Sequence, residues 1–171
     1  LSGNLFSAAA SDLTMNKSDG YVFKTGSNYF VDEHSPHIHN LPALTPAAFQ
    51  YRMQDSTNYT GLTQGTIIPG FYDLNGTATA ISNSNPYSVQ RIYVFTSDNV
   101  KIQMGQAVYK TLADAEASIA SEAFTTEPSI VANGLFRAYL CIRYDNTDLS
   151  DSSEVLFIHG GKFGDTTAGG V

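Results

Sequence analysis

The chain has 171 residues, enough for one domain that buries roughly 70% of its unfolded surface without staples. Its formal charge of -7, with only nine Lys and Arg scattered along it, leaves no basic stripe to neutralise phosphates and excludes nucleic acid as a partner. The single cysteine, Cys141, excludes an internal disulfide and a multi-cysteine zinc site, and no run reaches the ~18 apolar residues of a membrane insertion.

Charged residues make up only 15% of the chain and aromatic residues 12%, so many short strands joined by polar turns are expected rather than long helices. Residues 1–19 are polar with sparse apolar positions. Leu5, Phe6, Leu13 and Met15 follow no period of their own, as expected of a segment completed by neighbouring chains. Tyr21-Val22-Phe23 and Tyr29-Phe30-Val31 are short strand candidates around the turn at Gly26. Two prolines make 41–46 extended, and 47–53 alternates as a strand with Phe49, Tyr51 and Met53 on one face. Segments 66–68 and 71–74 are β candidates flanking Pro69-Gly70, and Asn75-Gly76 is a hairpin signal leading into 77–81.

The clearest internal logic lies in 90–124. Ile92 and Val94 alternate with Arg91, Tyr93 and Phe95; Ser97-Asp98-Asn99 turns the chain; and Val100, Ile102 and Met104 return beside the first strand. Gly105 breaks or bulges that strand. The period then changes. Thr111 caps a helix with Asp114 three residues on, and Leu112, Ala115, Ile119 and Ala123 form its apolar face, which is expected to pack on Ile92, Val94, Ile102 and Met104. Glu127-Pro128 ends helical continuation. In 135–144 the apolar face is Phe136, Ala138, Leu140, Ile142 and Tyr144, with Arg137 and Arg143 opposite, and Cys141 reads as a buried, inert thiol. The run 155–158 reads as a central strand covered on both faces.

Together these elements predict a mainly β fold: an antiparallel β-sandwich with one packed α-helix over about 111–124, and no fixed-period repeat. Residues 1–40 are expected to be an extended oligomerisation segment, 41–164 the sandwich, and 165–171 a flexible tail or connector. Residues 1–10 lack the basic start of a signal peptide, and the Leu1 start and Gly-Gly-Val end lead us to expect a fragment or a processed product.

QRIYVF, KIQMGQAVYKTLADAEASIASEAF and LFRAYLCIRYDNTDLSDSSEVLFIHGGKFG carry a QRIY-type strand, a GQ-x-VY turn into an Ala-rich helix and a T-x-LSD loop. In these the chain resembles a domain of bacteriophage tail fibres and related virion fibres, and LPALTPAAFQYRM resembles the segment that commonly precedes it. The resemblance spans roughly residues 40–164, with Met104 where an aromatic is common, a tolerable core exchange. It implies a structural or adhesive role in the virion, as a tail, head or neck fibre, with the chain itself (a homotrimer) and other fibre or tail proteins as partners. It implies no enzymatic chemistry.

His34, His37 and His39 cluster in the segment DEHSPHIHN. On an extended backbone His37 and His39 point to one side, and around a trimer axis three such pairs supply enough nitrogens for an octahedral transition metal. Some trimeric phage fibres hold iron on such a motif; the competing and heavier reading is loop histidines bonded to neighbouring backbone. Asp145, Asp148, Asp151 and Glu154 form an acidic loop whose spacing fits Asx turns better than an EF-hand or a catalytic carboxylate pair. No phosphate loop, G-x-S-x-G or H-E-x-x-H is present, and no cofactor is expected. The alternative function is a carbohydrate-binding module for host surface glycans, with Tyr59, Tyr72 and Tyr87 as the stacking candidates, weighed against ordinary packing.

Overall fold

The computed structural model describes residues 2–56 and 63–160. In chain order its strands are β1 (Ser2–Gly3), β2 (Phe6–Ala8), β3 (Met15–Lys17), β4 (Gly20–Phe23), β5 (Ile38–Leu41), β6 (Gln50–Arg52), β7 (Phe71–Leu74), β8 (Thr77–Ala80), β9 (Tyr87–Val94), β10 (Val100–Gln103) and β11 (Val108–Tyr109). Helices α1 (Leu112–Ser118) and α2 (Pro128–Asn133) follow, then β12 (Leu135–Arg143) and β13 (Val155–His159). The fold is mainly β, as the periodicity predicts. Among the described residues no helix is long and apolar enough to cross a membrane.

The organising element is a six-stranded sheet in the order β13-β12-β9-β10-β6, with β11 also paired to β9. Its pairings are antiparallel except β6–β10, which is parallel. Both faces are covered. On one side Ile92, Val94, Ile102, Leu140 and Ile142 meet Phe6, Met15, Val22 and Leu41 of the N-terminal strands, with Phe49, Tyr51 and Met53 completing this main core. The segment expected to be finished by other chains therefore already fills its own chain's interior at Phe6 and Met15. On the other side Val89, Tyr139 and Cys141 receive Ala115 from α1 and Ile119 from just past its end.

Several expectations are corrected. The helix does not run over 111–124. Thr111 caps it as expected, its Oγ1 accepting from the Asp114 backbone N–H at 3.0 Å and donating to Asp114 Oδ2 at 2.7 Å. At the other end Ser118 Oγ donates to the Ala115 carbonyl at 2.7 Å, and the Ile119 N–H closes a tighter turn on the Glu116 carbonyl. A serine hydroxyl that occupies a backbone acceptor competes with the helical ladder, and α1 stops there. Ala123 is left exposed. The helix also packs on the opposite sheet face from the one predicted, against Val89 rather than Ile92, because odd and even residues of β9 face different layers.

Pro128, read as a terminator, instead opens α2 at a position where its missing N–H costs nothing; the Glu127 carboxylate caps it by accepting from the Ile130 N–H at 3.0 Å. Strand β13 is an edge strand, not a central one. Its run is apolar because Val155 and Phe157 pack on the main core while Leu156 and Ile158 pack on the helix-side cluster. Residues 29–31 form a turn rather than a strand, and 66–68 carries no strand; there the Ile67 N–H bonds instead to the Leu13 carbonyl at 2.8 Å. Arg137, on the face opposite the even-numbered apolar one, is buried at 3% exposure and donates to the Gly3 carbonyl at 2.7 Å.

Gly105 is required by close approach: a Cβ there would lie 2.8 Å from the Val89 carbonyl oxygen. The Asn75-Gly76 turn forms with positive φ at both residues, 50° and 85°, as a two-residue hairpin demands.

The main core contains one polar triad. Tyr51 Oη lies 3.0 Å from Gln90 Oε1, accepts from the Ile68 N–H at 2.8 Å, and Gln90 Nε2 donates to the Ile68 carbonyl at 2.9 Å. Tyr51→Phe removes the shared hydroxyl from buried partners and is expected to cost about 1–3 kcal/mol. The check is the midpoint of chemical denaturation; an unshifted midpoint would show that the triad contributes nothing net.

Candidate functional site

The helix-facing side of the sheet carries the site. Tyr139 is the cross-strand partner of Arg91, and Phe136 that of Tyr93. The register of β12 shifts between Phe136 and Ala138. This bulge lifts Phe136 off the even-numbered face it would otherwise share with Ala138, Leu140 and Ile142, and sets it beside Tyr139 with ring centroids 4.6 Å apart. Tyr93 meets Phe136 edge-on at 5.7 Å.

The stretch between the helices closes over this wall. Ile119, Ala120, Glu122, Phe124 and Thr126 bound a cleft of about 330 Å³ floored by Arg91, Tyr93, Phe136 and Tyr139. Arg91 is 6% exposed. Its Nη2 donates to Glu122 Oε2 at 2.9 Å, and its guanidinium carbon stands 3.4 Å from the Phe124 ring centroid and 5.4 Å from that of Tyr139. The cation is thus held by a carboxylate and by aromatic faces together. Nη1 of Arg91 is buried and makes no hydrogen bond among the described residues. Burial raises the Glu122 carboxyl above its ordinary value, against the lowering effect of the Arg91 charge and of hydrogen bonds from Arg91, the Gln106 backbone and the Tyr109 side chain. Burial likewise pushes the Tyr93 phenol up to about 12, although a hydrogen bond with Thr126 and the nearby Arg91 charge oppose it.

The arrangement is a buried ion pair packed among aromatic rings. Cys141, on the same sheet face, has its thiol pushed up to about 12, mainly by burial, so it stays protonated and a poor nucleophile at neutral pH. This matches the inert thiol expected from its apolar run.

The residues singled out from sequence lie elsewhere and apart. His37 Nδ1 accepts from the Gly26 N–H at 3.0 Å, closing the β4–β5 loop, and its ring rests 5.2 Å from that of Phe23. His39 sits on β5 opposite Val22, with Nε2 3.9 Å from Asp98 Oδ1. His34 is fully exposed. Among the described residues no group of three or more His, Cys, Asp or Glu is placed to hold a metal. Tyr59 lies outside the described residues. Tyr72 stands on β7 opposite Thr79, and Tyr87 packs beside the Val89–Tyr139 cluster on another sheet.

The acidic loop is organised by turns. Asp148 Oδ1 accepts from the Ser150 N–H at 2.8 Å and hydroxyl at 2.6 Å, Asp151 Oδ1 from the Ser153 N–H at 2.9 Å and hydroxyl at 2.6 Å. Arg143 pairs with Glu154 and, at 3.2 Å, with Asp145. The Asx-type turn expected at Asn146-Thr147-Asp148 also forms, with Asn146 Oδ1 accepting from the Asp148 N–H at 3.0 Å.

The Arg91–Glu122 pair was not legible as a site. Its one signal is an arginine inside a strand that alternation alone does not show to be buried on both faces. No protein-family model, curated protein or solved structure matches the chain.

Proposed function

We propose that the chain is a structural component of a bacteriophage virion fibre, assembled as a homotrimer that connects or presents the host-attachment apparatus. The reading starts from the QRIY, GQ-x-VY and T-x-LSD segments, which supply β9, the approach to β11 and the loop between β12 and β13.

The observation that carries it is the outer face of the N-terminal hairpin. Phe23 and Ile38 are cross-strand partners on β4 and β5, 67% and 45% exposed. Tyr21 on the same strand face, and Tyr29, Phe30 and Val31 in the connecting loop, are exposed as well, Phe30 at 98%. A monomer seldom leaves this much aromatic and aliphatic surface in water. Copies of the same chain arranged around an axis cover it with closed symmetry.

The expected result is a trimeric mass by light scattering at micromolar concentration. Phe23→Ser combined with Phe30→Ser should shift that mass to the monomer while leaving the far-UV circular dichroism unchanged, since neither side chain contributes to the core. A monomeric parent protein would overturn the reading.

A further inference from the structure

We propose that Lys17 and Asn4 join in an intramolecular isopeptide bond, Lys17 Nζ replacing the side-chain amide nitrogen of Asn4 with release of ammonia. The inference goes beyond the fibre reading and stands on separate residues.

The amine sits where a lysine seldom does. Lys17 shares the inward face of β3 with Met15 and is 2% exposed. Its Nζ donates to two neutral carbonyl oxygens, Asn4 Oδ1 at 2.9 Å and that of Ser18 at 3.0 Å. Among the described residues no carboxylate lies within ion-pair distance of it. A lysine buried without a counter-ion tends to shed its proton. Burial accordingly lowers the Lys17 amine from its ordinary value, against the raising charges of Asp98 and Asp19. The neutral amine has the lone pair that nucleophilic attack needs.

The carboxamide is held against that amine. Asn4 is 0% exposed and takes a left-handed backbone with φ of 54°. Its N–H donates to the Asp19 carbonyl at 2.9 Å, its carbonyl accepts from Arg137 Nε at 3.4 Å, and Nδ2 donates to the Ser2 carbonyl at 3.3 Å. Gly20 makes the space for it, since a Cβ there would stand 2.4 Å from Asn4 Nδ2. An amine and a carbonyl fixed in contact and shielded from water react as an intramolecular pair. Nζ adds to Cγ of Asn4, and the Cγ–Nδ2 bond breaks. One Nζ proton passes to Nδ2, which leaves as ammonia; the product is a secondary amide, and no oxidant or reductant takes part. Asp98 and Asp19, whose charges reach Lys17, are the bases that relay this proton. The new bond closes a covalent ring from Asn4 to Lys17 around the β2–β3 pair, whose Phe6 and Met15 fill the main core.

The test is the intact mass of the purified full chain after incubation at neutral pH. The expected mass is lower than that of the sequence by one ammonia. Trypsin should leave Lys17 uncut and release residues 1–24 as one peptide, in which a single backbone break between Asn4 and Lys17 frees no fragment. Lys17→Met and, independently, Asn4→Ala should each return to the full mass of its own sequence. A succinimide at Asn75-Gly76 or Asn133-Gly134 also loses ammonia, but it survives both substitutions and leaves Lys17 open to trypsin. The proposal is overturned if the parent chain carries its full sequence mass, if trypsin cuts at Lys17, or if the deficit persists undiminished in Lys17→Met. The parent mass and its tryptic map decide the question even where a variant fails to fold.

Discussion

Arg91→Met is expected to lower stability by about 3–5 kcal/mol at neutral pH, because it strands the Glu122 carboxylate in a site that is 4% exposed. The loss belongs to the uncompensated charge and not to the shape of the side chain. Methionine fills a similar volume and packs well against aromatic rings such as Phe124 and Tyr139. Two consequences separate these causes. The double variant Arg91→Met with Glu122→Leu should recover most of the loss, since replacing a buried pair by apolar groups is often neutral. The deficit should also depend on pH with a definite sign. Glu122 already has a raised carboxyl in the parent, and loss of Arg91 raises it further. A group raised on folding costs stability as pH climbs through its folded value, and costs nothing once protonated below its ordinary value of 4.5. The gap between parent and Arg91→Met should therefore be widest at neutral pH and shrink below about 4.5. Equal denaturation midpoints of the two proteins at pH 7 would show that the pair does not hold the cleft together.

Ile119→Asp should cost several kcal/mol, the penalty for an unpaired buried carboxylate. Ile119 is 7% exposed and lies against Val89, Ala115, Tyr139 and Cys141 just past the end of α1. The informative comparison is Ala123→Asp. A helix continuing to residue 124 would place both positions on one apolar face, whereas the chain turns after Ser118 and exposes Ala123. Ala123→Asp is accordingly expected to stay within about 0.5 kcal/mol of the parent. Thermal denaturation of the two variants decides the matter: comparable losses would restore the longer helix, and a harmless Ile119→Asp would remove this face from the core.

Local chemistry was legible wherever the deciding interaction lies within a few residues. The period of two in 90–104 determined the β9–β10 hairpin, Asn75-Gly76 the β7–β8 turn, Thr111 with Asp114 the start of α1, and Asn146-Thr147-Asp148 an Asx turn of the acidic loop. Each is a backbone preference or a side-chain bond to a nearby N–H, and neither needs knowledge of what packs above it. The mainly β class followed from summing such signals.

Only the tertiary structure decided which face meets which layer. Alternation divides β9 and β12 into two sets each but cannot say that both are buried, nor that Arg91 faces Glu122 and Arg137 the Gly3 carbonyl. A single bulge in β12 moved Phe136 from the main core to the cleft, a shift invisible to a period count because the extra residue resets it. The same limit hid the cleft itself. Arg91 and Glu122 are brought together by the turn after Ser118 and by a sheet face that collects residues from distant strands, and no pattern in one dimension encodes that a buried guanidinium will find its carboxylate there.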